Sequence, residues 1–323
     1  MPTRGYRSRL QFKRGRHGFG HMVTRVLVLL SHIFFVVACS RAELRCPAGA
    51  AAVNYRQLDH SQLAVPVRIG QSQPFEFLLD TGSQVTIIEP ALAAELHLQP
   101  QGSLQVTAVS AQSHQIWTSA DVVEVGSLTA HSLLIVVEEL GQLRAQNPSI
   151  RGVLGEDFLT RFDFLIDRNH KTLCLDPGSG MQQETRGEHV TLELGMEKES
   201  ESTIPRPLLV SVHIAGTDYN KIVMRLDSGA NVAVLHRDRV PAAWSREMRV
   251  EQGAVIGGAT QYFQLLSPRD IEVGRQALGP VIFATPASEK TLSKRSVQDG
   301  LLPTALFRRV FVSYRSGYAI LSR

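Results

Sequence analysis

Asp80-Thr81-Gly82-Ser83 closes the apolar run Phe75-Glu76-Phe77-Leu78-Leu79, and Asp227-Ser228-Gly229-Ala230 closes a second one, Ile222-Val223-Met224-Arg225-Leu226. Each turn leads into another apolar stretch, Val85-Thr86-Ile87-Ile88 and Val232-Ala233-Val234-Leu235. Two carboxylates delivered by two matching turns can do a particular chemistry. Held a few ångströms apart they cannot both ionise, so they share one proton. The ionised member can then take a proton from water while the protonated member polarises a carbonyl. One such tripeptide alone would be an ordinary turn at a strand end.

The surroundings repeat as well. Val65-Pro66-Val67-Arg68-Ile69-Gly70 parallels Val210-Ser211-Val212-His213-Ile214-Ala215-Gly216, both alternating strands that run into a turn glycine. Downstream, Gly152-Val153-Leu154-Gly155 followed by Asp157-Phe158-Leu159 parallels Gly300-Leu301-Leu302-Pro303 followed by Ala305-Leu306-Phe307. Asp80 to Gly155 is 75 positions and Asp227 to Pro303 is 76. The repeats run from Val65 to Asp176 and from Val210 to Ser322, 112 and 113 residues, which marks an internal duplication. On these motifs the chain resembles the aspartic peptidases, and in particular the two-lobed, tandem retropepsin-like aspartyl proteases of bacteria. Gly155 fits that family's apolar-apolar-Gly element, which threads beside the Asp turn where a side chain would crowd it. Pro303 departs from it and reads instead as the opening of a short helix, Thr304 to Arg309.

At 323 residues the chain has room for two domains, each with its own core. Its net charge of +4 misleads. Residues 1–38 hold seven basic side chains and no acid, and without them 27 basic residues face 30 acidic ones. No nucleic-acid surface is implied. The basic start precedes an apolar run, Val26 to Ala38, too short to span a membrane, so residues 1–42 read as an export signal. Met22 would give that signal a more typical length. Val36-Val37-Ala38-Cys39 resembles a bacterial lipobox, with cleavage before Cys39 and a lipid anchor on it; cleavage after Ala42 by the ordinary signal peptidase is the competing reading. The location expected is the periplasm or the outer membrane.

Cys46 and Cys174 then remain, either as one disulfide between the lead-in segment and the last strand of lobe one or as two buried thiols. No CxxC, Cys/His spacing, HExxH or Gly-rich phosphate loop is present, so no metal or cofactor is expected.

The elements that must position the aspartates follow. Lobe one covers residues 43–176, a linker 177–205 and lobe two 206–323. Strands are expected at 65–69, 75–80, 104–109, 121–125 and 132–137, with short helices at Pro90–Leu96 and Gly155–Phe162. Phe164–Ile166 and Thr172–Leu175 read as a closing hairpin. Within the linker, His189 to Leu194 alternates like a strand and is either an interlobe strand or a solvated edge. Few long helical periods point to an all-β fold of two retropepsin-like β-barrel lobes, a pseudo-dimer in one chain with short helices. The family covers its substrate with hairpin flaps. Gly257 and Gly258 mark the flap of lobe two, and the equivalent stretch of lobe one, around Ala111 to His114, lacks the glycine pair.

The resemblance implies an aspartic endopeptidase that activates water between Asp80 and Asp227, with no cofactor. Thr81 and Ser228 would hydrogen-bond across the dyad, and the backbone of Gly82 and Gly229 would orient the carboxylates. Its partner would be an extended peptide or unfolded protein, and the protein would work as a monomer. A non-catalytic peptide-binding protein on the same fold is the alternative, and pairing of lobes between two chains is a third reading. Ser83 has a hydroxyl placed to donate to Asp80, whereas Ala230 has none for Asp227. That difference predicts a raised upper dyad pKa and a mildly acidic optimum.

Overall fold

A computed structural model describes residues 46–58, 61–107, 112–193, 205–247, 249–253, 261–287 and 297–323. The fold is all-β with short helices, in three sheets. Residues 1–45, which include the expected export signal and Cys39, lie outside the described residues, as do Gly257 and Gly258.

The first sheet contains the first Asp turn. Leu63–Ile69, Phe75–Leu79, Ile150–Leu154, Thr86–Ile88, Leu128–Val137 and Gln112–Val125 pair in that order, and the last pairs back onto Leu63–Ile69. That return pairing closes a six-strand barrel. Its strands alternate where one face meets water, as in Leu63–Ile69, whose Pro66 and Arg68 face outward. Thr86–Ile88 and Ile150–Leu154 lie inside the sheet and are apolar almost throughout. Two strands expected separately, at 104–109 and 121–125, belong to different members of one long hairpin. Gly102–Thr107 pairs with the 14-residue strand Gln112–Val125.

Lobe two repeats this order with one change. Leu209–Ile214, Ile222–Asp227, Gly300–Pro303, Ala233–Leu235 and Phe283–Pro286 occupy the matching places. The long hairpin strands are each broken in two here, giving Gln261–Leu265 and Arg269–Val273, then Gln276–Val281 and Phe283–Pro286.

The third sheet joins the lobes. Its order is Ala51–Asn54, Thr172–Asp176, Asp163–Asp167, Arg309–Ser313, Tyr318–Ser322 and His189–Thr191. The hairpin expected to close lobe one therefore leaves that barrel and pairs with lobe two, Leu165 opposite Phe311. The linker supplies the edge strand, with His189 opposite Ile320. It also holds a short helix, Gly180–Glu184. Cys46 and Cys174 form a disulfide, packed with Leu165, Met181, Phe311 and Ile320 beneath this sheet. One apolar cluster runs from Val53 through both lobes to Leu321, so the lobes bury their cores together.

The helix expected after Pro303 needs correction. Thr304–Leu306 is a single 3-10 turn, and the helix expected as far as Arg309 is cut short because Arg309–Ser313 is drawn into the joining sheet. Pro303 does not open that helix from within. It ends strand Gly300–Pro303, opposite Asp227 in a parallel register.

Candidate active site

Each aspartate sits where a strand ends against a parallel neighbour. Phe75–Leu79 runs beside Ile150–Leu154, and the Asp80 N–H donates to Leu154 O at 3.0 Å. Ile222–Asp227 runs beside Gly300–Pro303. The returning strand then crosses antiparallel, Ile87 opposite Val153 and Val234 opposite Leu301, so three segments meet around each turn. Such crossings leave no room for a Cβ. One added at Gly155 would lie 2.5 Å from Val85 O, and one at Gly152 would lie 2.7 Å from Ile87 O. Gly300 meets Val234 O in the same way, which makes it the partner of Gly152. Pro303 stands at the place of Gly155 and ends strand Gly300–Pro303 opposite Asp227.

The two turns are latched together by four hydrogen bonds. The Thr81 N–H donates to Ser228 Oγ at 3.0 Å, and the Ser228 N–H to Thr81 Oγ1 at 3.0 Å. Thr81 Oγ1 donates onward to Leu226 O and Ser228 Oγ to Leu79 O, both at 2.7 Å. Every polar atom of the two hydroxyls is used, and both residues are buried. This brings together Asp80, Thr81, Gly82, Asp227, Ser228 and Gly229. A Cβ on Gly229 would stand 2.6 Å from the Asp80 carboxyl carbon, and one on Gly82 would collide with the Asp227 carboxylate.

Both carboxyls are buried and hydrogen-bond to each other, yet their donors differ. Asp80 receives one backbone N–H, from Gly82 at 2.7 Å. Asp227 receives two, from Gly229 and Ala230, each at 2.8 Å. Burial and the charge of Asp227 push the Asp80 carboxyl well above the usual carboxylate range. Burial also raises Asp227, while Arg225 and those two N–H groups hold it down. The additional N–H favours the ionised form at Asp227 over Asp80.

That assignment corrects the reading of Ser83. Its hydroxyl donates to Val85 O at 2.7 Å, so its proton is not available to Asp80. A two-residue reach to its own chain lets Ser83 bond locally, as serines in turns do. The asymmetry of the turns comes from backbone donors, and the extra donor lies on the side of Ala230.

The sequence reading missed a second set of buried groups. Arg225 reaches from lobe two into lobe one, donating from Nε to Thr81 O at 3.0 Å and from Nη2 to Glu156 Oε2 at 2.6 Å. Glu156 Oε1 accepts the Leu208 N–H at 2.9 Å. Asp157 holds the strand behind the first turn, accepting from the Thr86 N–H at 2.9 Å and Thr86 Oγ1 at 2.8 Å. Gln62 Nε2 donates to Gly229 O at 2.5 Å. An arginine inside an otherwise apolar strand was the available signal for the first of these.

Each lobe also has a hairpin at the flap position. Gly102–Thr107 pairs with Gln112–Val125 in lobe one and Arg249–Gly253 with Gln261–Leu265 in lobe two. Both tips, which include Gly257 and Gly258, lie outside the described residues.

Residues 65–158 match the model of the aspartyl protease family, a match that covers the Asp80 turn and ends before Asp227. It links this segment to protease-type hydrolases. A search of curated proteins gives no match.

Proposed function

We propose that the protein is an aspartic endopeptidase whose single active site is built from both repeats. The observation that carries this reading is the contact between Asp80 and Asp227, held by the reciprocal bonds of Thr81 and Ser228. In the reaction, the Asp227 carboxylate takes a proton from a water bound between the two groups. The resulting hydroxide attacks the scissile carbonyl carbon, whose oxygen accepts the proton of Asp80. The tetrahedral diol collapses when its hydroxyl proton returns to Asp80 and the proton on Asp227 passes to the nitrogen. The C–N bond then breaks to a carboxylic acid and an amine. The water is consumed and the dyad returns to its starting charge.

A hairpin on each lobe supports the two-flap, retropepsin-like branch over the single-flap, pepsin-like one. The substrate is an extended peptide lying between the lobes. The basic, apolar N-terminus supports export, with Cys39 as a lipid site.

The test is incubation of the purified protein with an unfolded protein mixture from pH 3 to pH 8, with and without pepstatin. Cleavage that pepstatin blocks is the expected result. Intact substrate across the whole range, with pepstatin still bound, would favour a peptide-binding protein on the same fold.

A further inference from the structure

Arg225 is an unusual residue for its position. It lies two residues before Asp227 in strand Ile222–Asp227, faces inward, and is buried. A lone buried guanidinium is costly, and it persists only where partners repay the lost hydration. Its partners here all belong to lobe one. Thr81 O is part of the Asp80 turn, and Glu156 opens helix Glu156–Leu159 directly after Gly155.

We propose that Glu156 and Arg225 form an interlobe positioning pair that holds the Asp80 turn against the Asp227 strand and sets the charge both aspartates experience. Glu156 is fully buried and has no contact with the reacting atoms, so it acts through Arg225. With Glu156 ionised, the pair is neutral overall. With Glu156 neutral, the Arg225 charge is uncompensated beside the dyad and favours its ionised form. The groups facing Glu156 are Arg225, the Leu208 N–H, the Asp227 carboxylate and Tyr314, whose hydroxyl accepts from the Arg206 N–H. Asp157, on the same short helix, is engaged with Thr86 instead. Burial carries the Glu156 carboxyl up to about 7 despite its ion pair, which places its proton exchange near the working range of such a dyad.

The proposal deepens the peptidase reading, but its main test does not depend on activity. Carbon-13 NMR of the side-chain carboxyls follows Asp80 and Asp227 directly, with Asp80→Asn and Asp227→Asn assigning the signals. Below its own titration near 7 Glu156 is neutral, so the charge the dyad experiences there is that of Arg225. In Arg225→Gln, which can still hydrogen-bond to Glu156 and removes that charge, the dyad should bind its proton about tenfold more tightly, a rise of about one pH unit. A folded Arg225→Gln with an unmoved dyad titration overturns the proposal. If that variant does not fold, reciprocity supplies the second arm. Asp227→Asn removes a negative charge near Glu156, so Glu156 should titrate at lower pH than in the parent protein. An unchanged Glu156 titration there equally overturns it. With a cleavable substrate, the basic limb of kcat/KM should move to higher pH in Arg225→Gln. A shifted NMR titration with no cleavage in any variant would remove the peptidase reading and leave the pair standing.

Discussion

Thr81 and Ser228 each accept from the other's backbone N–H at 3.0 Å, so each turn completes the hydrogen bonding of its counterpart. Neither turn is fully satisfied alone. The buried N–H groups need the opposite hydroxyl, which ties the formation of the site to the docking of the lobes.

Breaking that latch should therefore cost stability before it touches chemistry. Ser228→Ala leaves the Thr81 N–H without an acceptor and Leu79 O without its donor. Each orphaned group costs about 1–3 kcal/mol, so the loss should be about 2–6 kcal/mol. Urea unfolding monitored by tryptophan fluorescence measures it. A midpoint equal to that of the parent protein would show that water takes over both bonds.

The aspartates themselves should be decisive in turnover. Asp80→Asn and Asp227→Asn should each abolish peptide cleavage, because either removes half of the acid–base pair. Mixing the two inactive variants should not restore it, since both turns of a site come from one chain. Recovery on mixing would mean that lobes pair between chains.

Thermal stability should fall as pH rises from about 5 to about 8, as read by scanning calorimetry. Burial raises Glu156 to about 7 and Asp157 to about 6 in the folded protein, from unfolded values of 4.5 and 3.8, and raises Asp80 as well. A raised folded pKa gives stability that is complete below the unfolded value and lost as pH climbs through the folded one. His236, lowered by burial, works in the opposite direction. Glu76 and Glu193 also oppose the trend, but both are solvent-screened. Glu156→Gln should flatten the slope. A melting temperature that climbs across this range would show that the surface pairs outweigh the buried carboxyls.

Location is read from Val36-Val37-Ala38-Cys39. In a bacterial host, the parent protein should fractionate with membranes and Cys39→Ala should not. Parent protein found wholly in the soluble periplasmic fraction would leave cleavage after Ala42 as the export route.

The sequence by itself pointed to two matching Asp turns, because a strand, Asp turn and glycine element met twice leaves its spacing in the chain whatever surrounds it. It also determined the all-β class, through the alternation of strands such as Leu63–Ile69. The partnership of Cys46 with Cys174 stayed open there, since pairing depends on the approach of segments 128 residues apart. Only the tertiary structure decided which lobe the Asp163–Asp167 hairpin serves, since a buried strand reads the same whichever sheet it joins. It likewise decided the hydroxyl of Ser83. A serine beside a carboxylate in sequence can turn to either of two acceptors, and the local geometry gave it to Val85 O. The Glu156–Arg225 pair was legible only as two charged residues in apolar segments, 69 positions apart. Their meaning rests on burial, which makes each charge require the other, and burial belongs to the folded pair of lobes.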